Sequence, residues 1–126
     1  MKEIIQTTKA PMAIGPYSQG VIAGNLVFVS GQLPIDPATS EFAVGGIAEQ
    51  TRQSLTNLKN ILETAGSDLS KIVKTTVFLS NIEDFAEMNK VYKEIMGDDN
   101  YPARSAFEVA RLPKDALVEI EAIAIK

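Results

Sequence analysis

The segment "ALVEIEAIAI", residues 116–125, alternates with the two-residue period of a β-strand. One face carries Val118, Ile120, Ala122 and Ala124, a set of residues suited to a cover of helices. The other carries Leu117, Glu119, Glu121, Ile123 and Ile125. Two carboxylates among large aliphatics make this second face too apolar to be fully solvated. The rest of the chain offers only two helices, both needed on the first face. Burial against another copy is the economical solution, so the pattern predicts a homo-oligomer.

Working back from that strand, residues 104–110 read as its neighbour in sequence, joined to it through the turn "LPKD" at 112–115. The loop "GDDNYP" (97–102) precedes them. Before it, Ile82, Phe85, Met88, Tyr92 and Ile95 form a helical stripe, with Ser80 and Glu83 in capping-box spacing and Gly97 at the end. "KIVKTTVFLS" (71–80) is short and rich in β-branched residues, hence a strand. A longer helix begins at Ile47, with Thr51, Leu55, Leu58, Ile61, Leu62 and Ala65 on one face and Gly66 placed to end it in the left-handed conformation. "IDPATSEFAVGG" (35–46) reads as loop. Upstream, the runs around Val21–Ile22 and Leu26–Val29 form a hairpin across "AGN", and "KEIIQ" (2–6) is a short strand. The expected fold is α+β in the order βββαβαββ, one domain over 1–126, with both helices on one face of a single sheet.

At 126 residues the chain is long enough for one real core, and 45% apolar with 22% charged residues is an ordinary globular composition. The N-terminus shows no secretory signal and no apolar run approaches a membrane span, so a cytoplasmic protein with no membrane partner is expected. Histidine and cysteine are both absent. That removes the usual general base near neutral pH, the thiolate nucleophile and the commonest metal ligands. The formal net charge is −4 and the only arginines are Arg52, Arg104 and Arg111. Without a Lys/Arg cluster, nucleic acid is an unlikely main partner.

Chemistry must therefore come from carboxylates, Arg, Tyr, Ser, Asn and the backbone. Arg104, in "NYPARSAFEVARLP" (100–113), has two readings. It either pairs with a surface acid or clamps a carboxylate or phosphate with its planar fork. Glu119 and Glu121, about 7 Å apart along a strand, are either an acid/base pair or two solvated charges. Asn89 lies beside the inward stripe of the second helix. Tyr17 follows "IGP", and Ser30–Gly31 ends a strand where glycine permits close approach.

Taken together, "APMAIGPYSQG" (10–20), "SGQLP" (30–34), "VKTTVFL" (73–79), "FAEMNKVY" (85–92) and "PARSAFEVARLPKDALVEIEAIA" (102–124) resemble the RidA/YjgF reactive-intermediate deaminases, in collinear order over almost the whole chain. The resemblance implies a chorismate-mutase-like fold, a homotrimer built around a barrel of sheets, and sites in the clefts between subunits. It implies the activity of a 2-iminobutanoate/2-iminopropanoate deaminase, hydrolysing imines and enamines such as 2-aminoacrylate to a 2-oxo acid and ammonia, without cofactor or metal. Arg104 would grip the substrate carboxylate with help from the Gly31 N–H, and Glu119 would activate water. Tyr17, Ser30 and Asn89 fall on the family's other site positions. One departure is Ala106, where many members have cysteine; its backbone carbonyl would still accept from the substrate nitrogen. Two rival readings are a non-catalytic small-carboxylate-binding regulatory protein and, less favoured by composition, a ribonuclease or translation inhibitor.

Overall fold

In the computed structural model, which describes residues 1–126, the elements run as follows. Strands Lys2–Ile5 (β1), Gly20–Ala23 (β2), Leu26–Gln32 (β3), Ile35–Asp36 (β4) and Glu41–Phe42 (β5) precede helix Ile47–Thr64 (α1). Strand Ile72–Leu79 (β6), helix Phe85–Met96 (α2), and strands Ala103–Glu108 (β7) and Val118–Ile125 (β8) complete the chain. The main sheet has six strands in the order β1-β2-β3-β8-β6-β7. Only β6 and β7 pair in parallel; the other neighbours are antiparallel.

This order explains why both helices share a face. Because β8 is antiparallel to both β3 and β6, those two strands and β7 all point the same way. The crossovers β3-α1-β6 and β6-α2-β7 then step in one direction across the sheet. Right-handed crossovers stepping the same way must lay their helices on the same side.

The core sits between sheet and helices. Val118, Ile120, Ala122 and Ala124 of β8 are buried there with Leu55, Leu58, Ile61 and Leu62 of α1 and Met88 of α2. On the opposite face Glu119 and Ile123 are half-buried, and Glu121 and Ile125 are exposed. Phe28 and Phe107 stand on that face at 40% and 45% exposure, and Phe107 meets Phe78 edge-on at 5.6 Å between ring centroids. Nothing in the chain covers them.

Three local expectations change. The 35–46 segment is not all loop, because β4 and β5 form a separate two-stranded ribbon with Ser40 at φ 61° in its turn. Ser80 does not cap α2. Asn81 accepts from the Glu83 N–H at 3.0 Å and opens a 3₁₀ turn, Ile82–Asp84, so the helix proper starts at Phe85. The strand expected at 104–110 occupies 103–108. Gly66 does adopt positive φ, 85°, just past α1.

Leu58 of α1 is fully buried in the core and shows what the helix cover contributes. Leu58→Ala is expected to lower unfolding free energy by about 2–5 kcal/mol, the usual transfer-plus-cavity loss. Urea denaturation checks this, and a loss below about 1 kcal/mol would place Leu58 outside the cooperative core.

Candidate functional site

The expected site residues fall into two groups in the folded chain. The first is built on β7 and α2. Phe85, Asn89 and Tyr92 recur at i, i+4 and i+7, so one stripe of α2 faces the edge strand β7. Arg104 lies across that stripe. Its Nη1 donates to Asn89 Oδ1 at 2.7 Å. Its Cζ sits 4.8 Å from the centroid of the Tyr92 ring and 5.5 Å from that of Phe85. Below, the Tyr92 hydroxyl and Thr75 Oγ1 share a buried hydrogen bond of 2.8 Å. The ion pairs of the chain are Arg52–Glu94, Lys59–Glu63 and Arg111–Asp115. Arg104 has no acidic partner, which removes the surface-ion-pair reading.

Ala106 shares this edge. The Val109 N–H donates inward to Leu79 O at 2.9 Å. By the two-residue period of a strand, the N–H and C=O groups of Arg104 and Ala106 therefore point away from β6, out of the sheet. The Ala106 carbonyl and the guanidinium stand at one open margin.

The second group is built on β3 and β8. The register between them slips by one residue between Val29 and Gln32, leaving Ser30 and Gly31 in a bulge. Three bonds hold the bulge. Ser30 N–H donates to Gln19 O at 3.0 Å, Ser30 Oγ donates to Ser18 O at 2.6 Å, and the buried Gln32 donates from Nε2 to Ser30 O at 3.0 Å. A Cβ at Gly31 would lie 2.9 Å from Glu119 Cδ, so only glycine lets the Glu119 side chain lie flat against this backbone. Tyr17 is 53% exposed on the irregular stretch before β2. That stretch is tied down by buried Gln19, whose amide accepts from Thr7 N and donates to the carbonyls of Thr7, Ala10 and Pro11.

Within one chain the two groups do not meet. Arg104 is the register partner of Thr75, which faces the helices, whereas Glu119 is the partner of Phe78 on the open face. They also stand two strand spacings apart, roughly 10 Å. A surface cleft of about 310 Å³ at the C-terminal end of α2, lined by Leu69, Ser70, Met96 and Asn100 among others, includes none of them.

Residues 7–126 match the family described as endoribonuclease L-PSP. The chain is 57% identical to a RutC family protein of Pyrococcus horikoshii over 126 residues, covering 100% of this chain and 99% of the relative. It is 49% identical to the 2-iminobutanoate/2-iminopropanoate deaminase of Bos taurus over 126 residues, covering 100% of this chain and 91% of that protein. The crystal structure of E. coli TdcF with bound serine superposes with a TM-score of 0.93 at 48% identity, covering 98% of each chain. The chain belongs to the RidA/YjgF family.

Electrostatics separates the two halves of this RidA/YjgF chain. Desolvation raises the Glu119 pKa above the usual carboxylate value, and the nearby Glu121 charge raises it further. Tyr92 is also pushed up, by burial, against the smaller opposing pull of Thr75 and Arg104, so it remains a neutral phenol at neutral pH. Tyr92, Phe85, Thr75, Gln19 and Gln32 were not among the expected site residues. The 85/89/92 spacing carried the signal for the first two, but apolar rings at helical spacing read equally well as core.

The Glu119 shift has a defined sign. A carboxyl whose folded pKa is raised favours the folded state while protonated and loses that contribution as pH rises through the folded pKa. Glu119→Gln removes the charge penalty. The variant is expected to melt above wild type at pH 7–8, with the difference closing below about pH 4, the unperturbed carboxylate range. Thermal melts across pH decide it; a variant less stable at pH 8 would mean that the charged carboxylate is favourably paired.

Proposed function

We propose that this chain is a hydrolytic deaminase of reactive imines and enamines of the 2-iminopropanoate, 2-iminobutanoate and 2-aminoacrylate type. One observation carries the reading: Arg104 holds its charge without an acidic partner and keeps most of its N–H groups free at an open edge. A guanidinium so placed suits bidentate capture of a small carboxylate. The names of the mammalian relatives and the serine-bound structure of TdcF support the same ligand class.

The chemistry follows from the two halves. The substrate carboxylate docks on Arg104, steadied at one corner by Asn89, and the Gly31 N–H adds a second donor. The outward Ala106 carbonyl accepts from the substrate nitrogen. Glu119, desolvated and therefore more basic than an ordinary carboxylate, takes a proton from water as the oxygen attacks C2. With the substrate nitrogen protonated at the start, Glu119 returns that proton to the carbinolamine nitrogen. It then takes the hydroxyl proton as C2=O forms and the C–N bond breaks, so 2-oxo acid and ammonia leave and the extra proton goes to solvent or ammonia. An imine beside a carboxylate is already electrophilic, so positioning supplies much of the rate. Ser30 Oγ already donates to Ser18 O, which suits it to hold the bulge and accept from substrate or water. Tyr17 offers its exposed hydroxyl from the neighbouring loop.

Because Arg104 and Glu119 face opposite sides of one sheet, the reading requires a second copy to bring them together. A homotrimer with sites between subunits meets that need and covers the open face carrying Phe28, Phe107 and Ile123. Sedimentation is expected to give a trimer, and Glu121→Lys is expected to weaken it. A stable monomer at micromolar concentration would remove the shared site.

The endoribonuclease description of the matching family names another activity. A chain of net charge −4 with no histidine lacks the usual acid–base groups of a metal-free nuclease. A carboxylate-sensing role without turnover is separated from hydrolysis by ammonia release from freshly generated 2-aminoacrylate. Arg104→Lys is expected to weaken 2-oxo acid binding by about 1.5–3 kcal/mol. Glu119→Gln is expected to leave that binding nearly intact and slow hydrolysis by about 10²–10⁴-fold. Wild-type turnover in Glu119→Gln would take the base role away from Glu119.

A further inference from the structure

We infer that Tyr92, anchored by Thr75 and flanked by Phe85, is the positioning residue that holds the Arg104 guanidinium by its face and leaves its N–H edge free for a carboxylate. The inference rests on the carboxylate-binding reading of Arg104 and deepens it. A guanidinium offers five N–H donors in its plane and two π faces. An acidic neighbour would hold the charge but occupy the same edge that a substrate carboxylate needs. An aromatic ring attracts the cation through its face and consumes no N–H.

The geometry matches that division of labour. Cζ lies 4.8 Å from the Tyr92 centroid and 5.5 Å from that of Phe85, while a single N–H group goes to Asn89. The ring itself is fixed. Tyr92 is 4% exposed, and its hydroxyl bonds to Thr75, which is fully buried. Thr75 and Arg104 are register partners on β6 and β7, so the same strand pair anchors the far end of the ring and carries the cation. A purely apolar core position would need no buried hydroxyl pair.

The test uses the full-length protein and two readouts. Nuclear magnetic resonance reports the Arg104 Nε–H, which stacking on a ring shifts upfield, and titration with 2-oxobutanoate reports affinity. Tyr92→Leu is expected to lose the upfield shift and weaken 2-oxobutanoate roughly 5–30-fold, the range a partly desolvated cation–π contact implies. Tyr92→Phe keeps the ring and is expected to retain the shift and stay within about 3-fold of wild type. In turnover, the Tyr92→Leu loss is expected in KM rather than kcat, a split that general loss of structure does not produce. Where Tyr92→Leu does not fold, Phe85→Leu at the half-buried outer ring applies the same test. Wild-type affinity in the leucine variants overturns the inference, as does Tyr92→Phe falling as far as Tyr92→Leu. If wild type shows the ring-shifted Arg104 but binds no 2-oxobutanoate, the carboxylate reading itself fails and takes this role with it.

Discussion

Strand β8 hydrogen-bonds to β3 on one side and β6 on the other, so its backbone is fully engaged and only its side chains distinguish the two faces. Toward the helices it presents Val118, Ile120, Ala122 and Ala124, and the packing of α1 depends on that smooth, small-to-medium surface. Away from them it presents Glu119 between aliphatics, with no element of the same chain above. The same alternation that completes the core therefore leaves a charged, half-desolvated group at an unfinished surface. Core formation and the candidate chemistry are two faces of one strand.

The two key charges are handled in opposite ways, and the difference suits different tasks. Arg104 is held by two rings and one amide, contacts that leave its charge unneutralised. Glu119 is destabilised as an anion by desolvation and by Glu121. A group meant to hold a carboxylate needs permanent charge and open donors. A group meant to move a proton needs its two protonation states close in free energy near the working pH. Burial without a counter-ion moves Glu119 toward the second condition, and stacking without a counter-ion suits Arg104 to the first. Pairing Arg104 with Glu119 inside one chain would have erased both.

Much of the fold was legible because the periods are clean. The two-residue alternation of β8 and the helical stripes of α1 and α2 each follow from one surface being buried. The β4–β5 ribbon was missed because two-residue strands carry no period to read. The capping box at Ser80 misled because Asn81, one residue later, had a competing side-chain acceptor and opened a 3₁₀ turn first. The candidate site residues could be named individually from the sequence, but their division between two faces could be read only in part. The parity of β8 could be read from its alternation, but the bulge at Ser30–Gly31 and the parallel pairing of β6 with β7 are not displayed by a linear pattern. The buried amides of Gln19 and Gln32 were invisible for a related reason: polar residues beside turns look solvated until the backbone groups they satisfy are placed.

In the proposed reaction position 106 serves through its main chain, so the cysteine that the resemblance implies there would not be required. The group assigned a role there is a main-chain carbonyl, and its direction is set by the phase of β7 against β6. That phase is fixed along the whole ladder from Lys74–Ala103 to Leu79–Glu108. The residue-106 side chain points toward the helices, on the same side as Arg104, while its carbonyl lies in the plane of the sheet and points outward. Exchanging cysteine for alanine removes one sulfur from the helix side and leaves the edge acceptor where the register puts it. Gly31 lies in a bulge held by bonds to Gln19 O, Ser18 O and the Gln32 side-chain amide rather than by any side chain at position 31. A site that drew two of its polar contacts from the backbone, as proposed, would need few reactive side chains, and a chain with neither histidine nor cysteine could carry it.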